Sequence, residues 1–275
     1  MTSQTASPPQ LNTMQLDVDG EGIGTLTLNR PDAFNAMSPE MIGEFTVAFA
    51  WLADRAALRA LIVTGAGKAF SAGGDVTWFR KGLEGDDLDL PSEIRRGAEV
   101  LHQAIIDFRR IPFPVIAAVN GPAAGAGFSL ALACDIRIAS SGAFFAPAYG
   151  RIGASPDGGM TYFLPRVVGP SRALEILIED PNMSAEDALA EGLVSEVVAP
   201  GELAGRAREK AAKLGAMSPH YVRMAKLLCG VSIENSLTDH LQLERHGIAD
   251  SMATEDLRNG VAAFFAGGKP EFKGE

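Results

Sequence analysis

The stretch "GASPDGG", Gly153 to Gly159, holds one carboxylate, Asp157, in a run of otherwise small and uncharged residues. An isolated Asp ahead of Gly-Gly has two readings: its side chain caps a helix opening in "SPDGGMTYFLPR", or it carries protons. Two other segments, "VTGAGKAFSAGGD" and "VNGPAAGAGF", each leave a strand-like run for a loop of glycine and alanine. Small residues let a ligand approach the backbone closely, and two such loops can offer two amide donors. If the N–H groups of Ala72 and Ala126 both point inward, they form an oxyanion hole, and a helix starting near Gly127 adds the positive end of its dipole. The plainer reading of the same glycines is tight turning and close packing. Neither loop has the spacing of a P-loop or of a dinucleotide-binding turn.

These loops need a frame, and the chain alternates strand and helix patterns. "GIGTLTLNR" alternates like a strand, and "MSPEMIGEFTVAFAWLADR" follows with Ser38 as expected N-cap and Pro39 at the first helical position. Met41, Phe45, Ala48, Phe49 and Leu52 fall on one face of that helix. "RALIVTG", "PVIAAVNG" and "DIRIAS" read as further strands, and a helix with Ile94, Ala98, Leu101, Ile105 and Phe108 at core spacing lies between the first two. Beyond about Pro170 the pattern turns helical. An α/β layering follows, with a loose tail over residues 1–12, a core over 13–200 that carries the site, and a helical region over 201–275. The acidic "EGDDLDLPSE" from Glu84 reads as a solvated loop.

The composition excludes several function classes. A chain of 275 residues with 47% hydrophobic residues has ample core material, and its formal net charge of −10 argues against nucleic-acid binding. Two cysteines, Cys134 and Cys229, suggest neither a disulfide framework nor a metal cluster. His220, His240 and His246 show no metal-ligand spacing, so no metal is expected. No signal peptide or membrane span is read, and a cytoplasmic location is expected.

Taken in order and spacing, "LNRPDAFNAMS", "GKAFSAGGDV", "PVIAAVNGPAAGAGFSLALACDIRIAS" and "GGMTYFLPRVVGPSRALEI" closely resemble the crotonase, or enoyl-CoA hydratase/isomerase, superfamily. The resemblance implies the ClpP/crotonase fold of repeated ββα units with a helical C-terminal trimerisation region. It implies a homotrimer or a dimer of trimers, a CoA thioester as substrate, and no cofactor. It places the thioester oxygen on the amides of Ala72 and Ala126; many relatives have glycine at the second position, a departure that an amide donor tolerates. Ala33, Phe34, Ala36, Ser71, Gly73, Asp75, Gly125, Gly127 and Tyr149 are then expected to line the substrate path, with Lys269 and Phe272 in a C-terminal segment that meets CoA. For Asp75, ordering of its own loop through backbone hydrogen bonds is the competing expectation. Trp78 and Phe79 suggest an apolar lining for the acyl pocket, or a packed helix turn.

Hydratases of this superfamily handle one water with two glutamates. The corresponding positions here carry Ser129 and Ala148, neither of which can accept a proton at neutral pH. Isomerase-type relatives have an acidic residue at or near Asp157, and one carboxylate is enough to move a proton between two carbons. Phe144, Phe145 and Tyr149 are expected to desolvate it. His102 lies roughly where a dehalogenase of the superfamily carries a histidine that helps hydrolyse an ester formed on an Asp at the position of Asp157. That keeps a dehalogenase- or thioesterase-like reading beside the isomerase and hydratase readings, although a helix-surface histidine is the simpler expectation. A catalytically silent acyl-CoA-binding protein is the remaining alternative.

Overall fold

The computed structural model describes residues 7–55, 57–85 and 89–274. Residues 1–6 of the expected tail and residues 86–88 of the acidic loop lie outside this range. In chain order the elements are β1 (Met14–Val18), β2 (Ile23–Leu28), α1 (Pro39–Ala53), β3 (Ala60–Gly65), α2 (Val76–Glu84) and α3 (Leu90–Arg109). Then come β4 (Val115–Val119), β5 (Ala123–Ala124), α4 (Ala126–Ala133), β6 (Ile136–Ser140) and β7 (Phe144–Ala146). They are followed by α5 (Met160–Val168), α6 (Pro170–Glu179), β8 (Met183–Ser184), α7 (Ala185–Ala190) and β9 (Glu196–Val198). The chain closes with α8 (Leu203–Gly215), α9 (Pro219–Val231), α10 (Leu237–Ser251) and α11 (Glu255–Ala266).

A six-stranded sheet runs in the order β1-β2-β3-β4-β6-β9. β1 is antiparallel to β2, and every later pair in it is parallel, as strands joined through helices must be. The pleat sends alternate residues to opposite faces. Leu61 and Val63 of β3 join the larger core beneath α1 and α3, while Ala60 and Ile62 face a smaller cluster with Leu203, Ala207 and Ala211 of α8. A three-stranded sheet, β5-β7-β8, stands apart and carries the site loops.

Helix α1 has the anticipated register: Met41, Phe45, Ala48, Phe49 and Leu52 are all buried, and the Ser38 side chain accepts from the Met41 amide at 3.2 Å. In α3 the core face begins later than expected. Leu101, Ala104, Ile105 and Phe108 are buried, but Ile94 is 38% exposed, so the buried face of this 20-residue helix is confined to its C-terminal half. The stretch beyond Pro170 is not purely helical, since β8 and β9 pair with β7 and β6. The end of the expected tail is anchored: Leu11 packs on the core and the Asn12 amide donates to Glu44 at 2.6 Å. No described helix is long and apolar enough to cross a membrane.

Candidate active site

The loop from Phe70 to Asp75 lies between the Ala33–Met37 segment and the entrance to α4. Ser71 bridges to Ala123, and the Ala124 amide donates to the Ser71 carbonyl at 2.9 Å. On the other side the Met37 amide donates to Gly73 O at 2.7 Å and the Asp75 amide to Met37 O at 3.2 Å. The two glycine-rich loops meet at Gly73, whose φ is +90°; a Cβ there would sit 2.7 Å from the Ala124 carbonyl and 3.2 Å from the Ala126 nitrogen. A Cβ on Gly127 would lie 2.4 Å from the Ser71 carbonyl. Glycine is required at both crossings, and the crossings bring Ala72 and Ala126 to adjacent backbone.

The two amides are not equivalent. Ala126 is the first residue of α4, and its N–H has no acceptor among the described residues, so one donor at the positive end of the helix is left without a partner. The Ala72 N–H donates to the Phe34 carbonyl at 2.9 Å. The expectation of two open amides is therefore corrected for Ala72. The physical reason is the backbone of Phe34, which at φ +49° turns its carbonyl toward Ala72.

Several residues expected on the substrate path hold the loops instead. The fully buried Ser71 donates its hydroxyl to Asn35 O at 2.8 Å and accepts from the Gly73 amide at 3.2 Å. Asp75 caps α2 through the amides of Thr77 and Trp78, at 3.1 and 3.3 Å, and pairs with Arg30 at 3.0 Å. Arg30 also donates to the carbonyl of Ala36, a residue that is itself buried. Gly125, at φ +52°, donates its amide to Ala146 O at 3.0 Å. Ala33 ends a 3-10 turn, and Phe34 is 55% exposed beside the Ala72 amide. Arg30 and Asn35, both within "LNRPDAFNAMS", share this bracing role. Asn35 is fully buried at φ +55°, accepts from the Arg30 amide at 2.9 Å and donates to the carbonyls of Ala66 and Ala69 at 2.9 and 2.8 Å. The signal available was an Asn inside a Pro-initiated turn, where the left-handed region is tolerated.

Asp157 does not cap a helix with its side chain. Helix α5 opens at Met160 behind Gly159, and only the Asp157 backbone carbonyl receives the Met160 amide, at 3.2 Å. The carboxylate is held by two donors on one oxygen: the Gly158 amide reaches Oδ1 at 2.6 Å, and His102 Nε2 donates to the same atom. Asp157 Oδ2 accepts no hydrogen bond among the described residues. The side chain keeps 36% of its surface exposed, so the expected burial among aromatic rings is not found. Phe145 turns into the core instead, its ring 5.4 Å from that of Phe128. His102, 50% exposed on α3, is thus a partner of Asp157 rather than a free surface histidine.

Behind the carboxylate, the Asp157 carbonyl accepts from Ser129 Oγ at 2.8 Å and from the Tyr149 hydroxyl at 2.9 Å. Tyr149 therefore braces the Asp157 backbone. Burial pushes its phenol up to about 12, which keeps the hydroxyl protonated as a donor. Ser129 belongs to the first turn of α4, the same turn that presents the Ala126 amide, so carboxylate and amide are referenced to one helix end. Ala148 adopts φ +60° and donates its amide to Asp180 Oδ1 at 2.7 Å, a shaping contact for which the sequence carried no signal.

The C-terminal residues lie elsewhere. Phe272 lines a cavity of about 550 Å³ with Tyr221, Ile248, Leu257, Phe264 and Phe265. The Phe272 carbonyl accepts from Arg59 at 3.0 Å, and the Lys273 amide donates to the buried Asp256 at 2.7 Å. This segment, including Lys269, is not brought to Asp157 by any described contact. Asp256, the carboxylate in the lining of this cavity, is buried and held by the Lys273 and Gly274 amides, so it is not free to act as a base.

The family model for enoyl-CoA hydratase/isomerase matches residues 19–275. A 1,2-epoxyphenylacetyl-CoA isomerase of Escherichia coli is 35% identical over 255 residues, covering 93% of this chain and 96% of that protein. A short-chain-enoyl-CoA hydratase of Clostridium acetobutylicum is 33% identical over 259 residues, covering 93% and 95%. Among solved structures, an enoyl-CoA hydratase from Bacillus anthracis superposes with a TM-score of 0.88 at 31% identity, covering 96% of this chain and all of that one. Relatives thus carry the names of both hydratases and isomerases.

Proposed function

Because the chain belongs to the enoyl-CoA hydratase/isomerase family and has its crotonase fold, we propose that it moves a carbon–carbon double bond within an enoyl-CoA thioester, with Asp157 as the proton carrier. Asp157 Oδ2 takes a proton from C2 of a 3-enoyl-CoA, and the electron pair moves onto the thioester oxygen as a dienolate. Return of the proton to C4 restores the carbonyl and leaves the double bond at C2. The Ala126 amide, at the end of α4, stabilises the developing negative charge. The Ala72 amide joins it by sharing its hydrogen between Phe34 O and the thioester oxygen. No cofactor enters this scheme.

One observation carries the reading. Addition of water needs a base and an acid together, and at the two positions where hydratases of the superfamily hold glutamates stand Ser129 and Ala148, while Asp157 keeps one oxygen that accepts no hydrogen bond among the described residues. Incubating the protein with 3-enoyl-CoA and 2-enoyl-CoA esters in deuterated water tests it: double-bond migration supports isomerisation, and a product heavier by one water means a hydratase.

The His102–Asp157 contact favours a second reading, in which Asp157 attacks an acyl or aryl carbon and His102 activates the water that releases it. Release of free CoA or of halide would identify that dehalogenase- or thioesterase-like chemistry. Binding without turnover would leave a silent acyl-CoA-binding protein.

The same proposal has the chain act as a homotrimer or a dimer of trimers in the cytoplasm, without nucleic acid or membrane. Phe264 and Phe265, 79% and 84% exposed on α11 of the single chain, support self-association. Light scattering on the eluted protein gives the oligomer's mass, and a monomer would refute this part.

A further inference from the structure

The carboxylate of Asp157 is tied at one end only. Its Oδ1 receives both the Gly158 amide and His102 Nε2, whereas Oδ2 receives no donor among the described residues. Toward an ionised carboxylate, which is acceptor-only, Nε2 is the donor of this contact. Helix α3 sets both partners: His102 follows the buried Leu101, and a Cβ on Gly158 would sit 3.7 Å from Ile105 Cδ1, so the Asp157–Gly158 turn packs on the α3 surface next to the histidine.

We propose that His102 is a positioning residue which, with the Gly158 amide, locks Oδ1 and leaves Oδ2 as the single basic oxygen. The proposal rests on the isomerase reading above. A free carboxylate turns about its terminal bond and presents either oxygen, and at 36% exposure a carried proton is open to exchange with water. With Oδ1 locked, the proton from C2 stays on Oδ2, facing the bound chain, and is handed to C4 by the same atom. His102 thereby governs the fraction of protons transferred directly as well as the rate.

A 3-enoyl-CoA carrying two deuterons at C2, turned over in ordinary water, reads this fraction as deuterium appearing at C4 of the product. In His102→Leu we expect kcat to fall about tenfold or more with KM changed less than about threefold, and the C4 label per turnover to drop to about half of wild type or less. His102→Gln keeps a side-chain N–H donor and is expected to recover both. The label fraction is measured per turnover, so partial misfolding does not move it, and replacement at a half-exposed helix position leaves the melting temperature near that of wild type. A His102→Leu enzyme with wild-type kcat, or with an unchanged C4 label, overturns the role of His102 while the isomerase reading survives. No double-bond migration by the wild-type protein overturns both.

Discussion

His102 Nε2 donates to the same oxygen of Asp157, Oδ1, that receives the Gly158 amide, across 55 positions of sequence. The contact links the middle of α3 to the turn ahead of α5. It separates the two oxygens of one carboxylate into a held atom and one that accepts no hydrogen bond among the described residues.

The two glycine-rich loops should tolerate no side chain where they cross. In Gly127→Ala the new Cβ would meet the Ser71 carbonyl at 2.4 Å, and this neighbour is backbone. Either α4 or the Ser71–Gly73 loop must shift, at a stability cost of about 1–3 kcal/mol. Because the same shift displaces the Ala126 amide, kcat should fall about a hundredfold, in line with loss of one oxyanion donor. Denaturant melts beside steady-state kinetics check both parts.

Tyr149→Phe should be milder. It removes one of two side-chain hydroxyls on the Asp157 carbonyl and leaves Ser129 in place, so about 1 kcal/mol of stability and less than about tenfold in kcat are at stake. The effect should also have an alkaline signature. Burial raises the phenol to about 12, with Asp157 adding to the shift and the Ser129 hydrogen bond opposing it, whereas the unfolded phenol titrates near 10. Between those values the unfolded chain binds fewer protons than the folded one, so wild-type stability falls as pH rises. The fall should be shallower in Tyr149→Phe when melting temperature is followed from pH 9 upward.

The acid side is set partly by Glu196, which ties β9 to α8. Arg206 holds its carboxylate at 2.5 and 3.0 Å and Lys210 at 2.8 Å. These bonds, Arg206 first, lower its pKa from the ordinary 4.5 to about 2. A carboxylate depressed in the folded state contributes stability above the unfolded value and loses it as pH falls through 4.5 toward 2. Glu196→Gln should therefore melt lower at neutral pH, and its deficit should shrink steadily below about pH 4.5. Thermal melts from pH 7 to 3 on both proteins decide it.

How much of this was legible in the chain depends on range. The register of α1 was readable because five apolar residues repeat along one helix face and Ser38-Pro39 marks its start. Strand β1 was legible too, since "MQLDV" alternates apolar and polar residues; β8 and β9 were not, since two or three residues carry no period and their existence depends on distant partners such as β6. Asp157 and His102 were both visible as candidates, yet their pairing required α3 to be laid beside the turn at Gly158. Asp75 was legible as a residue that orders its own loop through backbone hydrogen bonds, and it does so through the Thr77 and Trp78 amides, whereas only the folded backbone shows that Ser71 braces the loop as well. The hydrogen bond from the Ala72 amide to Phe34 was hidden for the same reason, because it follows from a left-handed φ at a phenylalanine that no local rule predicts.

The most direct test compares wild type with Asp157→Asn on a 3-enoyl-CoA ester, reading product structure by NMR and mass in deuterated water. Amide for carboxylate keeps the size of the side chain and removes the base, so CoA-ester affinity should stay within a few-fold while turnover falls by about two to four orders of magnitude. The wild-type product should be the 2-enoyl ester with no added water. Turnover retained in Asp157→Asn, or a wild-type product heavier by one water, would contradict a single-carboxylate isomerase.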